Sequence, residues 1–96
     1  MRVAKTIDVD SVVSRDPDID AADLNGEIVM MNIDKGKYFA LNEVGSRIWN
    51  MIVKPQKVGN IIDSLLTEYE IDRLTCENEV LNFLGRMYEA GLINIA

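Results

Sequence analysis

The hydrophobic residues of this chain change their spacing at Leu41, from every second residue to every third or fourth residue. A period of two is typical of a β-strand, and a period near 3.6 is typical of an amphipathic helix. The change therefore predicts an α+β fold with strands in the first half of the chain and helices in the second. Because the chain has only 96 residues, residues 1–96 are expected to form a single domain.

The first half predicts a three-stranded antiparallel meander. Asn25-Gly26 is a strong signal for a tight hairpin, since a type I′ turn needs positive φ at both central residues. It would pair residues 19–24 with residues 27–33, and the largely apolar second run is expected to be the central strand, covered or flanked on both sides. A turn at 34–37 then leads to a third strand at 38–41, at an edge of the sheet. The pairing of strand-like pieces around Ile7 and Val12-Val13 is left open.

The second half predicts three helices. Asn42 is a candidate N-cap for the first helix, which ends before Pro55. An amphipathic stripe over residues 58–69 predicts the second helix. Asp72 or Thr75 can cap the third helix, which runs to about residue 90 before Gly91, and residues 92–95 could return as a strand. The predicted architecture is winged-helix-like, a meander followed by three helices.

The apolar residues of the third helix spread over roughly half of its circumference when they are placed at about 100° intervals. In order around the axis they are Phe83, Cys76, Met87, Val80, Leu84, Tyr88 and Leu81. A single core contact normally needs a stripe only about 100° wide. Either the helix packs between the sheet and both other helices, or one margin forms a hydrophobic groove for a ligand.

Composition argues against several classes of function. The chain has no histidine, which removes the usual general base and the commonest transition-metal ligand. Its single cysteine, Cys76, allows neither an intrachain disulfide nor a thiolate metal cluster within one chain. The net charge of −6 disfavours nucleic acid, although a winged-helix protein that binds DNA remains an alternative. No apolar run is long enough to span a membrane, and a cytoplasmic location is expected.

Two short motifs fail when they are compared with known ligand sites. Residues 16–20 and Glu27 match acidic positions of an EF-hand calcium loop, but Ala21 replaces the required glycine and Asp23 replaces an apolar residue. Gly36-Lys37 lacks the other residues of a phosphate-binding loop. We therefore expect no metal, no cofactor and no catalytic residue.

Three stretches occur in the order and spacing of one known family. They are residues 37–49 (KYFALNEVGSRIW), the helical stripe at 58–69, and residues 80–84 (VLNFL) together with Gly91-Leu92-Ile93. Together they resemble the PqqD-like family, also called RiPP recognition elements, which bind the leader peptides of ribosomally made natural products. The similarity covers about residues 12–95 and is most like the free-standing leader-binding protein of lasso-peptide biosynthesis.

The resemblance implies a binding site and two partners. In the family the leader adds as a strand beside the third strand and packs against the third helix. For this chain, the resemblance implies that the peptide-binding residues are Lys37, Tyr38, Phe39, Ala40 and Leu41 on the strand and Val80, Leu81, Phe83 and Leu84 on the helix. Lasso leaders typically carry a Tyr and, three residues later, a Pro, which would occupy apolar pockets here. The second partner would be a separate leader peptidase, or alternatively a radical enzyme, as in the PqqD version.

Overall fold

The computed structural model describes residues 7–25, 27–32, 34 and 36–96. Within these residues the chain forms six strands and three helices, in an order that confirms the predicted α+β class. The elements are β1 (Val12–Arg15), β2 (Asp20–Leu24), β3 (Glu27–Asn32), β4 (Lys37–Leu41), α1 (Glu43–Met51), β5 (Gln56–Lys57), α2 (Val58–Glu68), α3 (Arg73–Glu89) and β6 (Ile93–Ile95). No helix in the described part of the chain is both long and apolar enough to cross a membrane.

The strands β2, β3 and β4 form the antiparallel meander expected from the sequence, with β3 in the centre. Leu24 pairs with Glu27 across the two-residue turn, and Asn25 has a φ of 57°, the left-handed conformation that such a turn requires. Asn32 pairs with Lys37 across the second turn. Gly26, Ile33 and Lys35, which belong to the predicted strand and turns, lie outside the described residues.

The central strand is buried on one face only. Ile28 and Met30 are buried against the helices, whereas Val29 is half-buried and Met31 is 49% exposed. Of the two alternatives in the expectation for β3, covered or flanked on both sides, the structure shows the second. Its two neighbouring strands flank it, but the face that carries Met31 points away from the core.

All three helices occur where the sequence predicts them, and two of the predicted caps are formed. The side chain of Asn42 accepts a hydrogen bond from the backbone N–H of Gly45 (2.8 Å) at the start of α1. Asp72, rather than Thr75, caps α3 and accepts from the N–H of Thr75 (3.0 Å). Gly91 follows α3 with a φ of 78°, as a residue at the C′ position should.

A second three-stranded sheet, in the order β5-β1-β6, joins distant parts of the chain. Val13 is fully buried at its centre and pairs with Gln56 on one side and Ile95 on the other. The backbone of Val9 continues this contact by accepting from the N–H of Gly59 (2.9 Å) in α2. This sheet places the Val12-Val13 piece whose pairing was left open, whereas Ile7 belongs to no strand. The strand β6 confirms the strand expected near the C-terminus.

The core is continuous between the two sheets and the helices. Its fully buried, larger side chains are Val13, Met30, Ile48, Ile52, Val58, Ile61, Ile62, Leu84, Met87, Leu92 and Ile93. Arg15 joins the second sheet to α1, because its guanidinium donates to the carbonyl of Trp49 (2.8 and 3.0 Å) and lies 4.6 Å from the centre of that indole ring. Partial burial lowers the pKa of Arg15.

Candidate functional site

The outer edge of β4 is the feature from which the site is built. One side of β4 pairs with β3 along its whole length, from Lys37 to Leu41, and no described strand pairs with the other side. In such a strand about half of the backbone N–H and C=O groups point away from the neighbour. The described terminal segments do not cover them, because β1 and β6 pair with each other. Among the described residues, therefore, no strand occupies this edge.

A cavity of about 260 Å³ lies between this edge and α3. It is lined by Phe39, Ala40, Leu41, Asn42, Phe83, Arg86 and Met87. Phe39 and Leu41 lie on the core side of the strand, where Leu41 is buried and Phe39 is half-buried. A strand placed beside β4 would therefore have apolar surface under its inward side chains.

A second cavity, of about 530 Å³, adjoins the first one at the start of α1. Most of its lining is apolar and comes from Val44, Gly45, Ile48, Leu65, Ile71, Cys76, Val80 and Phe83. Its polar lining is Asn42, Tyr69, Glu70, Glu79, Asn82 and Arg86. Asn42, Phe83 and Arg86 line both cavities, so the two cavities are neighbours, and we call the pair the groove.

Two contacts set the width of the groove. Asn32, a buried side chain at the end of β3, donates from Nδ2 to the carbonyls of Ala90 and Gly91 (both 3.2 Å) and so ties the sheet to the end of α3. At the other end, Gly45 lets α1 approach the ring of Phe83, since a Cβ at this position would lie 3.2 Å from Cε1 of that ring. The helix is therefore held at a defined distance from both β4 and α1.

Polar contacts between α1 and the end of α2 support the wall of the second cavity. Arg47 donates to both carboxylate oxygens of Glu68 (2.8 and 2.9 Å), and this hydrogen bonding lowers the pKa of Glu68. The hydroxyl of Tyr69 donates to Glu43 (3.3 Å). Desolvation, followed by the negative charge of Glu43, raises the pKa of Tyr69. Burial raises the pKa of the Cys76 thiol, so this group stays a neutral part of the lining.

The structure brings some of the predicted site residues together and separates others. Phe39, Ala40, Leu41 and Phe83 line the first cavity, and Val80 lines the second. Lys37 and Tyr38 are exposed at the start of the same edge, and Tyr38 lies on the face opposite to Phe39.

Leu81 and Leu84 line neither cavity, which places them away from the predicted groove floor. Leu84 is fully buried in the core, and Leu81 is partly buried on the opposite margin of α3. The sequence argument also missed Arg86 and Met87. Met87 belongs to the apolar arc of α3, but Arg86 lies outside that arc. The sequence indicated the place of Arg86 only through its position three residues after Phe83, on the same side of the helix.

The opposite edge of the meander differs from β4. All five residues of β2 are exposed, and Asp20 and Asp23 place carboxylates along it. Charges on an edge strand discourage pairing with other chains. Neither described cavity lies beside β2. Of the two edges of this sheet, β4 is therefore the one with both free backbone groups and adjoining apolar surface.

A family model for coenzyme PQQ synthesis protein D (PqqD) matches residues 27–93, from β3 to the start of β6. The chain therefore belongs to the PqqD family, as the resemblance of its sequence predicted. No curated protein matches the chain. PqqD-like recognition elements are not catalytic, so the family assignment agrees with the prediction that the chain is not an enzyme.

Two solved structures have the same fold. One is TbiB1 in complex with the TbiA(beta) leader peptide, with a TM-score of 0.78 and 30% sequence identity over 84% of this chain and 94% of that chain. The other is a lasso peptide synthetase B1 complexed with the leader peptide, with a TM-score of 0.76 and 21% identity over 85% of this chain and 96% of that chain. These matches confirm the predicted fold, a three-stranded meander followed by three helices.

Proposed function

We propose that this chain binds the leader of a ribosomally synthesised precursor peptide as an additional strand on the outer edge of β4, and presents it to a separate maturation enzyme. The lasso-peptide leader peptidase is the first candidate for that enzyme. The observation that carries the proposal is the unpaired edge of β4 beside an apolar groove, in a fold shared with TbiB1, whose structure contains a leader peptide.

The groove suits a guest that is extended and partly apolar. Backbone hydrogen bonds to β4 would supply affinity that depends little on the guest sequence, and the cavities would select side chains at alternate positions. Lys37, Tyr38 and Ala40 would contribute mainly through their backbone, because their side chains are exposed. Phe39, Leu41 and Phe83 would contact the inward side chains of the guest.

The binding half of the proposal is tested with a fluorescent synthetic leader of a candidate precursor peptide, chosen because its gene neighbours the gene for this chain. Titration followed by fluorescence anisotropy should give saturable 1:1 binding. A series of leaders, each with one N-methylated amide, should then lose affinity at every second position, because only alternate amides of an added strand donate to β4. Saturable binding with no alternation would contradict strand addition, and no binding would contradict the function.

The presentation half is supported by the face of the meander that points away from the core. Met31 and Tyr38 are cross-strand partners on this face and are 49% and 69% exposed, with half-buried Val29 nearby. Exposed apolar clusters on a small protein commonly mark contacts with other proteins. A guest strand beside β4 would extend this face, so an enzyme that docks there would contact the domain and the guest together.

Met31→Gln tests the presentation half. We expect the variant to bind the leader with unchanged affinity, while the partner peptidase cleaves the presented precursor about tenfold less efficiently, as for loss of one apolar anchor at an interface. The matched control is Leu74→Gln, which changes a side chain that is also exposed (68%) but lies at the start of α3. Equal cleavage of both variants would contradict docking on the sheet face.

A further inference from the structure

Arg86 differs from the other arginines in the described part of the chain. Arg15 donates to the carbonyl of Trp49, Arg47 to Glu68, and Arg73 to Asp63 with Glu77 nearby. Arg86 is exposed, and the described residues offer its guanidinium neither a hydrogen bond nor an ion pair. This arginine also lines both cavities, at the point where they meet.

The chemistry of the guanidinium indicates what could bind there. It is planar, permanently charged and carries five N–H donors arranged to meet a carboxylate with two hydrogen bonds. A cation in the last turn of a helix also suits the helix dipole, which would explain Arg86 without any ligand. The dipole, however, does not require the side chain to line the groove.

The charges along the groove are asymmetric. Glu70 and Glu79 line the second cavity but not the first. Glu79 lies on α3 seven residues before Arg86, which is about 10 Å along the helix axis. The protein as a whole carries a net charge of −6 and repels an acidic peptide at long range. Within the groove, an acidic side chain is therefore favoured beside Arg86 and disfavoured at the far end.

We propose that Arg86 is a specificity-determining residue that pairs with one acidic side chain of the guest peptide where that peptide passes from the β4 edge to the second cavity. The inference rests on the proposed function, because it assumes a guest strand on β4. It adds that the guest has a fixed register, set by an Asp or Glu next to apolar residues that occupy the cavities.

The test is a selection from a displayed library of random 12-residue peptides, carried out on the wild-type chain and on Arg86→Glu. Peptides selected by the wild type should carry Asp or Glu at one fixed distance from their apolar positions. Peptides selected by Arg86→Glu should carry Lys or Arg at that position. Arg73→Glu, on the same helix but outside both cavities, is the matched control and should select the same peptides as the wild type.

A double-mutant cycle on one selected peptide separates pairing from a structural role. Arg86→Gln and the neutralised peptide should each lower affinity about tenfold, and combining them should lower it no further. If Arg86 only stabilises the end of α3, Arg86→Gln will instead weaken all selected peptides equally, which overturns the inference. Selection of apolar positions without a fixed acid overturns it too and leaves the proposed function standing. If neither protein enriches any peptide, both proposals are overturned.

Discussion

The two sheets in the described part of the chain contain three strands each, but they are assembled in opposite ways. In the meander, β2, β3 and β4 follow one another along the chain and are joined by short turns. In the other sheet, β1 pairs with a two-residue strand that follows α1 and with a three-residue strand at the C-terminal end. The first sheet is local in sequence, and the second joins distant segments.

The difference teaches how a small domain can keep one strand edge free. The second sheet uses the described N-terminal segment and the C-terminal strand, so that neither is available to pair with β4. An unpaired edge is a hazard for aggregation unless it is short, charged or covered. Here β2 carries carboxylates, and β5 and β6 are very short. Among the strands that the structure describes, only β4 combines five residues of edge with an adjoining groove.

Substitution in the second sheet should have the largest effect on the fold. Val13→Asp would place a carboxylate at a fully buried position, and we expect the free energy of unfolding to fall by more than about 3 kcal/mol. Chemical denaturation followed by circular dichroism measures it. Ala40→Asp, at an exposed position of β4, is the control and should keep a cooperative transition near that of the wild type. If both variants lose the same free energy of unfolding, the two sheets do not differ in their effect on the stability of the fold.

The contact between the meander and α3 should have the next largest effect. Asn32→Ala removes the amide that donates to the carbonyls of Ala90 and Gly91, and we expect a loss of about 1–3 kcal/mol in the free energy of unfolding. Leader affinity should fall as well, because the distance between the sheet and α3 is no longer held. Denaturation and anisotropy titration on the same variant measure both quantities. A stability loss without any change in affinity would contradict the role of Asn32 in setting the groove.

The two faces of β4 should respond differently to truncation. Phe39→Ala removes a half-buried ring from the groove, and we expect leader affinity to fall about tenfold. Tyr38→Ala removes an exposed ring from the opposite face and leaves the backbone of the edge in place, so affinity should be unchanged. Anisotropy titration compares them. If Tyr38→Ala causes the larger loss, the guest lies on the outer face of the sheet rather than in the groove.

Acid should lower the stability of α2 and α3, which line the groove. This is the smallest of the four effects predicted from the comparison of the two sheets. The N–H of Thr75 lowers the pKa of Asp72, and Arg47 lowers the pKa of Glu68. Because both folded pKa values lie below the unfolded ones, the stabilisation is complete above the unfolded values and is lost as pH falls through the folded values. The melting temperature should therefore be steady near neutral pH and fall below about pH 4.

Asp72→Asn is the control for the pH dependence. Asparagine caps a helix nearly as well as aspartate but does not titrate in this range. The variant should therefore lose less stability between neutral and acid pH than the wild type does. The same loss in both proteins would show that the cap of α3 does not contribute to the acid sensitivity.

Most of the fold could be predicted because its signals are local. The left-handed Asn25 in a two-residue turn, the Asn42 and Asp72 caps and Gly91 each act on neighbouring backbone groups, so a few residues suffice to define them. The pairing of β1 could not be predicted in this way. Val13 pairs with Gln56, which lies beyond α1, and with Ile95, which lies beyond all three helices, and no nearby residue records these contacts.

The residues that line the groove could not be predicted from the sequence for the same reason. The wide apolar arc on α3 left two interpretations open, and a helical projection does not say which margin faces β4. The packing of α1 and α2 decided it, so Phe83, Arg86 and Met87 line the first cavity while Leu81 and Leu84 do not.

By itself, the sequence determined the three strands of the meander, the three helices, the turn and cap residues and the absence of histidine chemistry. These depend on backbone preferences and composition, which are properties of short segments. Only the tertiary structure decided which strand edge stays unpaired and which side of α3 lies beside it. Both depend on contacts between segments far apart in the chain, whose energies become favourable only when the whole core has formed.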